Sequence, residues 1–263
     1  MTYSLKALAS PRKGTVRLPA IQERMTAIYS YHAGLRTMLR GLRDETKRSV
    51  LPRLRADRGL TTDAAERDWF IALRATQKVL QGVAERMVER ILRQEAERHT
   101  AAWTEGVRRS LGVDVAAVLA SDGLEAALSA RVLENVRLIS SIGEEAVGRV
   151  ERVVINATVN GTNLKTVRKE LTDAFAMSDR RAAIVARDQV AKSVSDLTRL
   201  RQQEAGITDY QWSTSADERV RAEHRALDGQ VFKWGKPTAE KDGLPPGQPI
   251  LCRCVALARV TFD

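Results

Sequence analysis

The 263-residue sequence is poor in aromatic residues, histidine and cysteine. Aromatic side chains make up 5% of it, and there are three histidines and two cysteines. The core must therefore be built mainly from Ala, Val, Leu and Ile. The longest apolar run, near Val115 to Ala120, has about six residues, too few for a membrane-spanning helix. The N-terminus lacks the apolar segment of a secretory signal, and we expect no membrane partner.

Proline is absent from residues 53–236, because all seven prolines lie before or after that stretch. Proline interrupts helix interiors, so this distribution predicts a mainly α fold with a body of long helices. Thr61-Thr62-Asp63 has the residue types of an N-cap and predicts a long helix that reaches about Glu105. The residue pattern also favours helix from Ile21 to about Asp57. Apolar periodicity predicts five further helices, over Asp114–Leu119, Asp122–Ile142, Glu144–Asn160, Leu164–Phe175 and Asp179–Glu204.

The residue pattern changes from helical to strand-forming after Gly206. Strand-forming residues predict short strands over 207–212 and 230–234, and residues 252–262 alternate between apolar and polar types. This alternation predicts a third strand, with both cysteines on one of its faces. We therefore expect a small α/β cap that begins at about residue 206.

Charge is distributed unevenly along the chain. The formal net charge is +10, yet residues 1–60 alone hold 13 basic and four acidic side chains. A basic segment on a nearly neutral body indicates a polyanionic partner, with double-stranded DNA first. A solvated helix face rich in arginine explains the same pattern equally well. The candidate DNA-contacting residues are Arg12, Lys13, Arg17, Arg36, Arg40, Arg43, Lys47, Arg48, Arg53, Arg55 and Arg58.

Sequence signatures of common enzyme sites are absent. There is no Walker-type phosphate loop, no GxGxxG, no HExxH and no Ser/His/Asp pattern. The only dense group of chemically versatile side chains is near the C-terminus, where both cysteines form the pair Cys252-x-Cys254. Their spacing disfavours a disulfide, because extended residues two apart place the Cα atoms near the upper limit for a bridge.

Two thiols with His224 brought close would supply three ligands for structural zinc, and Asp217 or Asp228 could be the fourth. Two half-buried cysteines and a histidine hydrogen-bonded to a turn are the alternative. A zinc-dependent hydrolase acting on peptide or nucleic acid is the alternative function for such a site. No general base can be named beside it, so we expect the protein not to be an enzyme.

The C-terminal motif resembles that of the phage Mu F-like family of minor head proteins, also called the SPP-type head morphogenesis family. The family pattern W-T-s-x-D-x-R-V-R-x-x-H-x-x-L-D-G, followed after a loop by C-x-C, is matched in order, with one extra residue, Ser213, after the tryptophan. The matching residues are Trp212, Ser213-Thr214-Ser215, Asp217, Arg219-Val220-Arg221, His224, Leu227-Asp228-Gly229, Cys252 and Cys254.

The resemblance implies a bacteriophage structural protein that acts in procapsid assembly or in DNA packaging and delivery. It implies portal or capsid partners and a place in the virion after synthesis in the host cytoplasm. The long helices are also compatible with self-association. Charge, proline content, helix pattern and motif together divide the chain into a basic extended arm and helix over 1–60, a long-helix region over 61–120 and a Mu F-like domain over 121–263.

Overall fold

A computed structural model describes residues 2–56, 69–119 and 122–262, and for Arg55, Ala56 and Asp122 it describes the backbone alone. About two thirds of the described residues are helical, and a small four-stranded antiparallel sheet accompanies the helices. This confirms the predicted mainly α fold with an α/β cap. Among the described residues, no helix combines the length and the apolar character that crossing a membrane requires.

The chain forms two compact units. The first contains residues 1–27, 92–131 and 187–263, and the second contains residues 28–91 and 132–186. Each unit is assembled from stretches that are distant in sequence. The division into 1–60, 61–120 and 121–263 follows charge and motif instead of compactness, and it stays a prediction.

Three helices of about forty residues dominate the chain. The α-helices of the described residues are α1 (Leu5–Leu8), α2 (Met25–Glu45), α3 (Leu51–Ala56), α4 (Ile71–Leu111), α5 (Asp122–Val159), α6 (Leu164–Glu204) and α7 (Ala222–Leu227). A 3₁₀ turn, Ala116–Val118, lies where a helix over Asp114–Leu119 is predicted. The predicted long helix is present as α4 and ends at Gly112, whose φ of 72° is the left-handed conformation that favours glycine. Its predicted N-cap at Thr61-Thr62-Asp63 lies outside the described residues.

The prediction of separate helices on either side of Gly143, and again between Phe175 and Asp179, is wrong. Helix α5 runs through Gly143, and α6 runs from Leu164 without a break. One interior glycine costs a helix only about 1 kcal/mol, which packing can offset. At Gly143 the missing side chain makes room for Gln77, since a Cβ there would lie 3.1 Å from its Nε2.

A π-helical segment, Thr46–Val50, joins α2 to α3. Pro52 explains its position, because proline has no N–H and its ring clashes with the carbonyl four residues earlier. The N–H of Leu51 bonds the carbonyl of Thr46, five residues back, instead of continuing the α-helical pattern.

In the second unit, two glycines of α2 face α4 closely. A Cβ at Gly34 would lie 1.4 Å from Cε of Met87, and one at Gly41 would lie 2.4 Å from Cδ1 of Leu80. The glycines are seven residues apart, and so are their two partners. The missing side chains therefore let the two antiparallel helices approach along one shared face.

The sheet belongs to the first unit and contains β1 (Gly14–Arg17), β2 (Asp209–Ser213), β3 (Val231–Lys233) and β4 (Val255–Phe262), in the order β1-β4-β2-β3. Strand β4 has the predicted alternation, with Ala256, Ala258, Val260 and Phe262 buried. The cysteines, however, precede β4 and lie in the segment that leads into it. The strand thus begins three residues later than predicted, although Cys252 and Cys254 continue its alternation and are both buried.

The N-terminal residues are packed into this unit. Strand β1 pairs antiparallel with β4, and Val16 lies opposite Val260. Leu5 and Leu18 are buried in the same core cluster as Trp103 of α4. The extended arm that charge and proline suggested for this segment is thus an integral edge of the cap.

Candidate functional site

His224, Cys252 and Cys254 meet in the first unit and are called the thiol–imidazole cluster below. Nδ1 of His224 lies 3.5 Å from Sγ of Cys252 and 3.6 Å from Sγ of Cys254. All three side chains are buried, with 2%, 4% and 5% of their surface exposed. Both cysteines are free thiols. The structure therefore brings together three of the four residues predicted to bind metal.

Aromatic packing and a capped turn fix the imidazole. His224 lies on α7, and its ring meets the fully buried ring of Trp212 edge-on, with the centroids 5.4 Å apart. Helix α7 is followed by Asp228, whose carboxylate accepts hydrogen bonds from the backbone N–H and the hydroxyl of Thr214. The Leu-Asp-Gly part of the motif is thus a turn that closes on the end of β2.

The two thiols are positioned by a proline-rich loop that is docked on α6. Ser195 donates a hydrogen bond to the carbonyl of Pro246, and the amide of Gln248 donates one to Asp196. Gly247 allows the close approach, because a Cβ there would lie 2.8 Å from Cβ of Ser195. The N–H of Leu251, a residue with φ of 55°, donates to Asp188 and orients the chain just before Cys252.

Asp217 does not join the cluster. Its two carboxylate oxygens accept hydrogen bonds from the guanidinium group of Arg253, which lies between the two cysteines. The hydrogen bonds from Arg253 lower the pKa of Asp217 below its usual range. Asp228, the other candidate fourth ligand, is engaged by Thr214. Both acids of the motif therefore hold loops in place.

Glu240 is a buried neighbour of the cluster that the sequence pattern did not reveal. Its Oε1 lies 3.9 Å from Nε2 of His224, and its Oε2 accepts backbone hydrogen bonds from Asp242 and Leu244. Nε2 of His224 is buried without a hydrogen-bond partner among the described residues. No spacing rule links Glu240 to the motif, because it lies in the loop before the cysteines.

The two thiols differ in acidity. The thiol hydrogen bond from Cys254 and the backbone N–H groups of Cys254 and Gly247 lower the pKa of Cys252 to about 6. The same thiol hydrogen bond, together with burial, raises the pKa of Cys254. One thiolate is thus favoured in the cluster before any cation binds.

A cavity of about 220 Å³ opens beside the cluster. Its wall includes Arg187, Arg219, Arg221 and Arg253 together with all three members of the cluster. Asp217 neutralises Arg253, but Arg187, Arg219 and Arg221 keep this opening positively charged, so it favours anions over cations as contents.

The candidate DNA-contacting residues are divided between the two units. Arg12, Lys13 and Arg17 belong to the first unit, and Arg36, Arg40, Arg43, Lys47, Arg48, Arg53 and Arg55 belong to the second. Arg58 lies outside the described residues, as does the side chain of Arg55. No single surface that contains all of these residues can therefore be described.

Arg12 is engaged by contacts within the protein. Its guanidinium group donates to the carbonyls of Ser110 and Leu111 at the C-terminal end of α4 and lies 5.5 Å from the ring centroid of Phe262. A cation at this end of a helix satisfies carbonyls that have no partner within the helix. Lys13 and Arg17, in contrast, are exposed at the edge strand.

Four exposed basic residues lie along one face of α2 and the π segment, and we call them the basic stripe: Arg36, Arg40, Arg43 and Lys47. Their spacing of four, three and four residues returns to the same helix face. Arg43 and Lys47 also border a groove of about 490 Å³, whose apolar lining includes Leu51, Leu164 and Phe175. Arg48, outside the stripe, pairs with Glu45.

Comparison with known proteins places the motif in a family. Residues 148–257 match the family described as Phage Mu protein F like protein. An uncharacterized protein of Haemophilus influenzae is 34% identical over 168 residues, which is 64% of this chain and 37% of that protein. The chain thus spans little more than a third of that relative's length. No solved structure matches. The predicted resemblance to the phage Mu F-like family is therefore confirmed over residues 148–257.

Proposed function

We propose that the protein acts in bacteriophage head morphogenesis, as a minor head protein of the procapsid or virion that contacts the portal or capsid. The family match over residues 148–257 is the observation that carries this proposal. The motif residues also support a structural role, because Trp212, Asp217 and Asp228 hold the cap together. We propose that the cap is a folded attachment module and that no reaction takes place in it.

Deletion of the gene from its phage or prophage tests this role. Portal and capsid proteins should still be made, while the yield of DNA-filled heads should fall and recover when the chain is supplied in trans. Affinity purification from induced cells should recover the portal or the major capsid protein with the tagged chain. Normal numbers of infectious, DNA-filled heads in the deletion strain would refute the proposal.

We further propose that the basic stripe contacts double-stranded DNA without sequence specificity. The acids nearest to the stripe form only solvent-exposed ion pairs with it. Arg36 lies 3.4 Å from Asp179, and Asp44 lies 3.9–4.0 Å from Arg43 and Lys47. Ion pairs this exposed are weak, so DNA phosphates can replace them. The stripe continues along one helix face, which suits the regular spacing of phosphates.

Charge reversal tests the DNA contact better than deletion of residues 1–60, because deletion would remove β1 and α2 from their packed positions. The triple change Arg40→Glu, Arg43→Glu and Lys47→Glu should weaken binding and lower the slope of log K against log salt by about 2 to 3. The matched control reverses Lys233, Lys236 and Lys241, which are exposed in the cap. An equal loss of DNA affinity in both triple variants would show that net charge, and not the basic stripe, determines binding.

A variant in the apolar lining of the adjacent groove distinguishes DNA from an acidic protein as the partner of the basic stripe. Leu164→Ala removes apolar surface from the groove without changing charge. DNA binding should be unchanged in this variant, because phosphates need no apolar lining. A loss of binding to portal or capsid in the same variant would assign the groove and its basic border to a protein instead.

A further inference from the structure

We infer that His224, Cys252 and Cys254 bind a zinc ion through Nδ1 and two thiolates, and that the fourth coordination position opens into the arginine-lined cavity. The site lies in the proposed attachment module, yet the inference rests on the geometry of the cluster and not on the role in head assembly. Within the described residues, no further histidine, cysteine or acidic side chain belongs to this group.

The distances fit zinc. Tetrahedral zinc bonds of about 2.3 Å to sulfur and about 2.0 Å to nitrogen place the two ligand atoms about 3.5 Å apart. The structure places Nδ1 of His224 3.5 Å and 3.6 Å from the two sulfurs. Two thiolates and one imidazole are soft to intermediate ligands, which select zinc over magnesium or calcium.

Glu240 lies beside the imidazole nitrogen that would not bind the metal. A histidine that binds metal through one nitrogen usually donates the proton on the other nitrogen to a carboxylate or carbonyl. In the cluster the free nitrogen is the buried Nε2, and the buried carboxylate of Glu240 lies 3.9 Å from it. This placement assigns Nδ1 as the metal ligand. It also disfavours the alternative group of Glu223, His224 and Glu240 as the site of the ion.

The fourth position is available to a small anion or water. Asp217 and Asp228 are occupied by Arg253 and Thr214. The cavity beside the cluster is bordered by four arginines, and it could accommodate a ligand of several atoms in about 220 Å³. Two thiolates neutralise a Zn²⁺ ion, so the arginines would give the remaining position its preference for anions.

Metal analysis and cobalt substitution test the inference on the folded chain. Protein purified without chelator should contain one equivalent of zinc by mass spectrometry, and chelation should lower the melting temperature until zinc is restored. The Co²⁺-substituted protein should show thiolate-to-cobalt charge-transfer absorption, and added azide should change its visible bands. The variants Cys252→Ser, Cys254→Ser and His224→Asn should each lose metal, while Asp217→Asn and Glu223→Gln keep one equivalent.

The outcomes are decisive even if a ligand variant fails to fold. Wild-type protein without zinc, which takes up neither Zn²⁺ nor Co²⁺ when the thiols are reduced, would overturn the site. A folded Asp217→Asn variant that takes up neither Zn²⁺ nor Co²⁺ at saturating metal would overturn the three-residue ligand set. Cobalt bands that azide does not change would overturn the open fourth position. None of these readouts depends on phage assembly, so the inference and the proposed function can fail separately.

Discussion

Arg253 donates hydrogen bonds from both terminal nitrogens of its guanidinium group to the two carboxylate oxygens of Asp217. Because Arg253 lies between the two cysteines and Asp217 lies in the loop before α7, this pair joins the thiol-bearing segment to the element that carries His224. The fork geometry of guanidinium matches a carboxylate in a way that an ammonium group cannot. The pair thus aligns the cluster from outside it.

Arg253→Lys should therefore weaken zinc binding without changing the stoichiometry. Lysine keeps the charge but loses the two parallel hydrogen bonds, so the cysteine segment is held less firmly. Competition with a chromophoric chelator measures the affinity, and Arg219→Lys, in the loop that holds Asp217, is the control. In a double-mutant cycle with Asp217→Asn, the second change should have little further effect. Additive losses would show that the two residues act independently.

Glu240→Gln should lower the zinc affinity by about tenfold to a hundredfold, the usual effect of losing a carboxylate that orients a metal-binding histidine. Glutamine retains an oxygen for the backbone N–H groups of Asp242 and Leu244, so the loop should stay folded. Glu223→Gln is the matched control, because that carboxylate also lies 3.9 Å from Nε2 of His224 but is 49% exposed. An equal loss in both variants would contradict the special role of Glu240.

The sequence predicted the residues of the cluster better than their connections. The helices and the alternation of β4 follow from local periodicity, and the C-terminal motif contains the three residues of the cluster, His224, Cys252 and Cys254. The ion pair of Asp217 with Arg253 and the burial of Glu240 depend on how loops fold onto one another, which no periodicity encodes. The same reason explains the error at the N-terminus, where β1 has a partner that lies more than 240 residues later in the sequence.

The helix ends predicted from sequence are partly wrong because glycine can either end a helix or lie inside one at a close contact. At Gly112 it ends α4 in a left-handed conformation, whereas at Gly143 it continues α5 and makes room for Gln77. The sequence alone does not separate these roles, since the deciding quantity is the distance to a neighbouring helix. Gly34 and Gly41 belong to the second kind.

Substitution of two helical glycines by alanine should have opposite effects on stability. Gly82→Ala should raise the free energy of unfolding by up to about 1 kcal/mol, because helix propensity improves and the nearest side-chain atom is 3.6 Å away. Gly41→Ala gains the same propensity but forces Leu80 to move, which costs about 1–3 kcal/mol in a packed interface. Urea denaturation measures both. Stabilisation by Gly41→Ala would show that α2 and α4 are less closely packed.

A buried histidine should make the protein sensitive to mild acid. His99 is fully buried in the first unit, where Nε2 bonds the hydroxyl of Thr198 and Nδ1 has no hydrogen-bond partner among the described residues. Burial, reinforced by the positive charges of Arg98 and Arg201, lowers the pKa of His99 to about 3. An unfolded histidine has a pKa of about 6.5. Below that pH the unfolded chain binds a proton that the folded chain excludes.

The contribution of His99 to the free energy of unfolding is therefore complete above about pH 6.5 and is lost as the pH falls toward 3. Between about pH 7 and pH 5 the loss should be about 2 kcal/mol. His99→Gln cannot titrate, so its stability should fall by about that much less over the same interval in urea denaturation. Thr198→Val, which removes only the hydrogen bond, should lower stability similarly at both pH values. An unchanged pH dependence in His99→Gln would mean that His99 is protonated in the folded protein, contrary to its burial beside two arginines.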